Sequence, residues 1–504
     1  MGLNKETETD GPLTKRGVIV FIMILGAFLT ALNQTVMSVA TPVLMNDLDI
    51  SAATAQWLTT GYMLVNGVLI PITAFLMKRF PTRQLFQSSM ITFLAGTIIS
   101  ALAFNFPILL AGRVIQAAGA GVMIPLLYNV VLTLYPPAKR GTIMGMVSLA
   151  ILFAPAIGPT LAGYVLEVFP WQVMFFGLVP LIVMLIIFAH FYLQNVSKTA
   201  RAKVDVQSVI LSTIGFAGLL YGFSAAGNGG WSSTEVIVSL LVGIIGLSLF
   251  TWRQLVSVDP LLDLRTFKYK MFTLTNIINI GITIIMYADM ILLPLYLQNA
   301  RGYTAMESGL LMLPGAILMG LLSPVSGKLY DRYGAKWITI IGILITIATT
   351  IPFTVLTDST SYTYLLLMST GRRIGMALLI TPIQTAGLNQ IPLSLSAHGS
   401  AIWNTIRQVA GAIGTSLLVT VMTNSTNKHY QQLMAVDGPN GAAQGDIMVQ
   451  ASIYGVNDAY FVIIIIGIMS LLLSFIIKND KQVLTEVPDV ALKKLESKNL
   501  NDCD

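Results

Sequence analysis

Of 23 acidic residues, Asp289 alone lies well inside an apolar run long enough to cross a bilayer. That run, residues 272–298, is centred near residue 285, so Asp289 sits about 6 Å from its midpoint at a helical rise of 1.5 Å per residue. An ionisable group at such depth is costly and marks a functional position by default. Burial disfavours its charged form, which suits it to bind and release a proton. Three uses remain open. Asp289 carries a coupling proton, or it pairs with a cationic ligand that displaces the proton, or it forms a fixed salt bridge to Arg113, Arg372, Arg373 or Arg407. Those arginines also fall within apolar runs. A carboxylate so paired is held ionised, which works against easy protonation. Each buried arginine costs roughly 2.5–3.5 kcal/mol on insertion scales and must face the interior of a helix bundle. The runs further hold Asn33, Gln34, Tyr62, Tyr287, Met290, Gln384 and Trp403. Aromatic, thioether and amide groups of this kind suit a tolerant apolar cavity. Packing or lipid contact accounts equally well for any one of them, and Asn33 and Gln34 can bond a neighbouring helix instead of a substrate.

The elements that must position these groups are membrane helices. Apolar residues make up 55% of the 504 and charged residues only 10%, against about 25% charged in a soluble domain. That balance excludes a soluble enzyme, a disordered chain and a nucleic-acid binder, since the net charge of +6 comes from short basic clusters between apolar runs. A span needs about 20 apolar residues. Fourteen segments qualify: 17–40, 55–77, 85–104, 108–133, 141–166, 172–194, 204–226, 234–253, 272–298, 305–327, 336–356, 361–388, 397–424 and 459–478. With the N-terminus inside, Lys and Arg alternate as the positive-inside rule requires. Lys78, Arg79 and Arg83, then Lys139 and Arg140, then Lys328, Arg332 and Lys336 fall in inner segments, whereas outer loops hold only Arg301 and Lys428. Both termini are therefore expected in the cytoplasm, with the chain in the plasma or inner membrane.

The chain also repeats. Leu329, Arg332 and Lys336 of the segment 327–336 recur as Leu76, Arg79 and Arg83 at an offset of 253 residues. This predicts two pseudo-symmetric six-helix halves, 17–194 and 254–478, with two inserted helices in 195–253. Polar tails at 1–16 and 479–504 and a long outer loop at 425–458 complete the plan. Internal repeats of this kind are a transporter signature, with the substrate site near midplane between the halves. The single Cys503 makes no internal disulfide or thiolate metal site. His190, His398 and His429 are too scattered to hold a metal, and no phosphate-binding loop of the Walker type is present. No metal, cofactor or ATP is expected.

Several motifs resemble the major facilitator superfamily, specifically its fourteen-span drug:proton antiporters of the multidrug and lincomycin-resistance type. Gly145, Ala154, Gly158-Pro159 and Ala162-Gly163 follow that group's fifth-span signature, with two glycines replaced by alanine. Small residues there admit a close neighbouring helix. Arg113-x-x-Gln116-x-x-Gly119-x-Gly121 is similar to the buried-arginine motif of the fourth span, which the resemblance links to proton transfer. Gly327, Asp331, Arg332 and Gly334 match the inner-loop motif, which implies a gating latch in which Asp331 faces a helix N-terminus. The first copy has Lys78 in place of the acid. Arg407 belongs to Asn404-x-x-Arg407-Gln408-x-x-Gly411-x-x-Gly414, a further group motif. One departure matters: Asn33 stands where many group members have Asp, so no proton role transfers to it.

The resemblance implies an all-α polytopic antiporter with alternating access, exchanging inward protons for outward amphipathic drugs. Asp289 and Arg113 would serve coupling. The partners are drugs, protons and the lipid bilayer, with no nucleic acid. A monomer is expected, and the outer loop is the segment able to dock a periplasmic adaptor. An exporter of a defined metabolite, peptide or lipid, and a transporter-like membrane sensor, are the alternatives on the same scaffold.

Overall fold

A computed structural model describes residues 13–50, 52–196, 205–257, 260–437 and 444–478. The expectations for the terminal tails, including Cys503, and for the middle of the outer loop lie outside the described residues. Among them the chain is helical throughout. The order is α1 (Leu13–Asp47), α2 (Ala52–Arg79), α3 (Thr82–Ala101), α4 (Phe106–Leu134), α5 (Pro137–Val168), α6 (Gln172–Phe176) and α7 (Leu178–Tyr192). There follow α8 (Val206–Gly229), α9 (Thr234–Val256), α10 (Lys270–Leu295), α11 (Ala305–Tyr333), α12 (Ala335–Thr350), α13 (Tyr362–Asn389), α14 (Ser396–Asp437) and α15 (Gln444–Ser474). A 3₁₀ turn, Leu264–Lys268, leads into α10. Among the described residues ten helical units are long and apolar enough to cross a membrane, and a bent pair within α2 makes eleven. The chain is a multi-pass membrane protein.

Helix ends follow local chemistry. Asn105 accepts from the N–H of Ile108 at 3.0 Å and caps α4. Thr304 and Glu307 form a reciprocal capping box on α11, satisfying N–H groups that the first turn leaves open. Gly334, with φ +80°, separates α11 from α12, a conformation that disfavours any residue with a Cβ.

Three boundaries differ from the hydropathy reading. The segment 172–194 is two helices in line, joined at Gly177. The motif around residues 327–333 is the last turns of α11 rather than a loop. Most of the expected outer loop 425–458 is helical, because α14 continues to Asp437 and α15 starts at Gln444. Residues 425–437 contain no Gly or Pro, whereas Gly438, Pro439 and Gly441 concentrate the breakers in six residues. Hydropathy detects the bilayer and does not register a helix that leaves it. At 42 residues, α14 is about 63 Å long, twice a bilayer core of about 30 Å. Its projecting part is zipped to α15: Gly455 lies against Thr426, His429 Nε2 is 3.1 Å from Asp458, and the rings of His429 and Tyr454 are 5.2 Å apart.

The helices pack through small residues. On the seam between α5 and α11, a Cβ on Gly327 would collide with the Gly141 carbonyl, and one on Gly145 would meet the backbone of Ser323 and Pro324. Gly320 lies against Phe153 farther along. Towards the opposite end the glycines have no neighbour. A Cβ on Gly163 or Gly309 would meet nothing within 4 Å, and Leu161, Tyr164, Met306 and Leu310 are exposed.

The pair α8 and α9 meets through Gly218 and Gly243 and through Gly215 and Gly246. Their ends are clamped by Asp205, which accepts from Arg253 Nε at 2.8 Å and Nη2 at 2.9 Å. Asp205 also accepts from the Ser208 hydroxyl at 2.6 Å. The Arg253 bonds, with those from Ser208, hold its carboxyl down at about 2, below the usual carboxylate range.

Candidate functional site

Three polar constellations stand out in this apolar bundle, and each is positioned by a different set of helices. The first closes one end of the α5–α11 seam. Asp331, in the last turn of α11, accepts from the N–H groups of Gly141 and Thr142 at 2.9 and 2.8 Å and from the Thr142 hydroxyl at 2.6 Å. Gly141 and Thr142 lie in the second turn of α5, which starts at Pro137, so the negative charge sits near the favourable N-terminal end of the helix dipole. Alongside, Arg140 donates to the Tyr135 and Leu132 carbonyls at 2.9 and 2.6 Å and to Asn389 Oδ1 at 2.9 Å. Asn389 in turn donates to the Tyr330 hydroxyl at 3.0 Å. Four helices, α4, α5, α11 and α13, are thus tied at one end. Arg332 is exposed and stacks on Tyr333 at 5.3 Å, so of these two neighbours it is Asp331 that bonds to α5.

The second constellation surrounds Arg113 on α4, which is 0% exposed. Its Nη1 donates to Asn33 Oδ1 and, at 2.9 Å, to Gln116 Oε1. Gln116 passes the chain on to the Thr97 hydroxyl at 2.9 Å. The guanidinium lies 4.3 Å from the centre of the Tyr62 ring, a cation–π contact. Its Nη2 is buried without a hydrogen-bond partner. No carboxylate pairs with it among the described residues. Asn33 and Tyr62, expected to line a substrate cavity, are buried here as ligands of Arg113.

The third is built on Asp289 of α10. Arg372 of α13 donates to its Oδ1, Arg373 Nη2 lies 3.4 Å from its Oδ2, and the Tyr460 hydroxyl of α15 is 3.5 Å from Oδ1. Arg372 also lies over the adjoining rings of Phe353 and Tyr460, 4.4 Å and 5.3 Å from their centres. Gly315 of α11 makes room for Arg373, since a Cβ there would press on its Cδ. Two guanidiniums share one carboxylate, and Arg372 Nε, Arg372 Nη1 and Arg373 Nε remain unpartnered. Among the described residues Asp289 is the one carboxylate within ion-pair distance of either buried cation.

The other expected residues do not join these clusters. Tyr287 packs over Gly411, and Trp403 over Gly387. Gln384 is buried with its Nε2 unpartnered. Gln34 and Arg407 are half-buried, and Met290 is 42% exposed. In the fifth-span motif, Gly158 lies against Thr35 of α1, whose hydroxyl is 3.5 Å from the Ala154 carbonyl. The motif's small residues therefore admit α1. The Pro159 side chain lies outside the described residues, and Gly163 has open space beside it. The members that sequence reasoning missed are Tyr460 and Phe353. Both are ordinary aromatics in apolar runs, and nothing in their spacing marks them.

Comparison with known proteins agrees with this architecture. The sequence profile described as Major Facilitator Superfamily matches residues 23–415. The chain is 47% identical over 86% of its length to "Uncharacterized MFS-type transporter YhcA" of Bacillus subtilis, covering 81% of that protein. It is 43% identical over 92% of its length to "Lincomycin resistance protein LmrB" of the same organism, covering 96% of it. Among solved structures, the human organic anion transporter MFSD10 superposes with a TM-score of 0.61 at 12% identity, over 92% of this chain and 100% of that one, a likeness of fold alone. A profile match over most of the chain, and relatives of this similarity along nearly their whole length, show that this multi-pass transporter of small molecules belongs to the Major Facilitator Superfamily.

Proposed function

We propose that the protein is a proton-coupled exporter of amphipathic drugs that works by alternating access. The observation that carries the alternating-access reading is the α5–α11 seam. It is closed at the Asp331 end by hydrogen bonds and glycine contacts, whereas Gly163 and Gly309 towards the other end meet no neighbour within 4 Å. The substrate class rests on the relative of nearly equal length whose printed name is a lincomycin resistance protein. In this reading α1–α7 and α10–α15 form the two halves, α8 and α9 are inserted, and the fourteen resulting spans place both termini in the cytoplasm. The closed end is then cytoplasmic and the structure faces outward. The protein acts as a monomer in the plasma membrane.

Asp289 is the coupling acid. In the outward-facing geometry two arginines share its carboxylate. A proton from outside binds only as the arginines turn to other acceptors, and that exchange links protonation to movement of α13 against α10. Arg113, with Asn33, Gln116 and Tyr62, forms the corresponding polar knot in the first half and shapes the field in the cavity. Gln34, Tyr287, Met290, Gln384 and Trp403 supply cavity wall, with Arg407 on the same helix as Trp403. One proton moving inward across 100 mV yields about 2.3 kcal/mol, which supports roughly a fifty-fold uphill gradient of a neutral drug.

The deciding experiment uses proteoliposomes with an imposed inward pH gradient. Lincosamides and lipophilic cations are added while internal pH is followed. Drug-triggered proton entry that is absent in Asp289→Asn supports the whole reading. Entry that persists in the variant keeps export and moves coupling away from Asp289. No entry with any drug, from folded protein, points to an exporter of a dedicated metabolite.

A further inference from the structure

A cavity of about 260 Å³ lies between the inserted pair and the second half of the bundle, away from all three polar clusters. Its walls include Phe216 of α8, Phe250 of α9, Ile280 of α10 and Ala410 of α14, and Leu262 and Phe267 of the turn before α10 line its floor. All six are apolar, and Ile280 and Phe267 are exposed at its rim. The cavity therefore opens sideways, where lipid would lie. Helix α9 packs on the Leu264–Lys268 turn, which in turn packs on α10, and the cavity lies beside that junction.

The floor is a membrane boundary with a basic surplus. Arg253 and Arg265 are engaged by Asp205 and Asp263. Lys268 and Lys270, one and three residues beyond Phe267 of the rim, are exposed, and neither makes an ion pair among the described residues. From Lys270 to Ile280 a helix rises about 15 Å, half of a bilayer core of about 30 Å. The cavity thus spans one leaflet, with free cations at headgroup height.

We infer that this cavity is a binding site for an anionic phospholipid, with one acyl chain between α9 and α10 and its phosphate on Lys268 and Lys270. The lipid joins the inserted helices to the second half where protein packing is missing. Long basic side chains suit this role because their stems lie along the apolar wall while the ammonium reaches the phosphate. The inference uses the cytoplasmic placement of this end proposed above, since that leaflet carries the anionic lipids. Its test reads lipid binding without transport, so failure of the drug-export reading would leave it standing.

The test uses the full-length protein in mild detergent, given equal amounts of dioleoyl phosphatidylglycerol and dioleoyl phosphatidylethanolamine, with bound lipid counted by native mass spectrometry. The phosphatidylglycerol is expected to be retained about tenfold more, given the attraction of two lysines near the surface. The double change Lys268→Gln/Lys270→Gln should bring the ratio near one at unchanged thermal stability. Ala410→Phe, which fills the cavity, should reduce bound lipid of both kinds. Equal retention by the unaltered protein would overturn the site, as would a preference that survives the lysine changes. The lysines are exposed and outside the packed bundle, so their variant decides the question whether or not the Phe variant folds.

Discussion

Asp289 is where chemistry and stability meet most directly. Replacing it by Asn leaves Arg372 and Arg373 buried without a counter-charge, a change that costs about 3–5 kcal/mol when one partner of a buried pair is lost. Asp289→Asn is therefore expected to lower the melting temperature in detergent as well as to abolish gradient-driven export, whereas Asp289→Glu should keep part of both. A variant as stable as the parent would show that the arginines find other acceptors readily. Asp205 gives a contrasting case at the membrane surface. Its carboxyl is held down at about 2 by Arg253 and Ser208, below the ordinary 3.8. The clamp's contribution is thus fully present above pH about 4 and is lost as pH falls through about 2. Asp205→Asn should remove that acid-limb loss from a thermal-stability profile, and an unchanged acid limb would show that the clamp contributes nothing. The lone intramembrane acid was legible in the sequence, because a carboxylate in an apolar run is too costly to bury without a partner or a task. Its choice of Arg372 and Arg373 over Arg113 and Arg407 was not, since that depends on how α13 is rotated against α10. Tyr460 was invisible for the same reason.

At the scale of elements, the α5–α11 seam is a contact made of backbone. A methyl group added at Gly327 meets the Gly141 carbonyl, and neither helix has a side chain to move aside. Gly327→Ala should cost about 1–3 kcal/mol in the sealed arrangement, as overpacking generally does, and lower its population by roughly 5- to 150-fold. Spin labels at the ends of α5 and α11 would report this as a longer distance on the Asp331 side, and an unchanged distance would count against the seam as the closing surface. The small-residue spacing of α5 announces a close neighbour, but not which one. Gly145 faces α11, while Gly158, farther along the same helix, faces α1. Apolar runs identified the helices well where they cross lipid and failed for 425–437 and 444–458. There Gln, Met and Ala continue a helix that hydropathy does not count.

For the molecule as a whole, the proposed alternating-access cycle gives Asp331 the balance between the two access states. Its bonds to Gly141 and Thr142 exist only when the halves meet at that end, so they stabilise one state and not the other. A charged acceptor contributes about 1.5–3 kcal/mol per hydrogen bond. Asp331→Asn should therefore shift the equilibrium towards the opposite state by at least about tenfold. The measurement is labelling of a cysteine placed at the seam by a thiol reagent added from the closed side, in a Cys503→Ser background that leaves no other thiol. Labelling as slow as in the parent would remove Asp331 from control of the gate.

The zipped ends of α14 and α15 have a practical consequence. A 54.5 kDa membrane protein offers single-particle imaging little outside the micelle by which to orient it. This helical mast leaves the bilayer as a direct continuation of two spans, pinned by Gly455 against Thr426 and by His429 beside Asp458. A small rigid protein fused across its tip, between Asp437 and Gln444, would be carried on two continuous helices instead of a slack tether and would serve as a fiducial for following both access states.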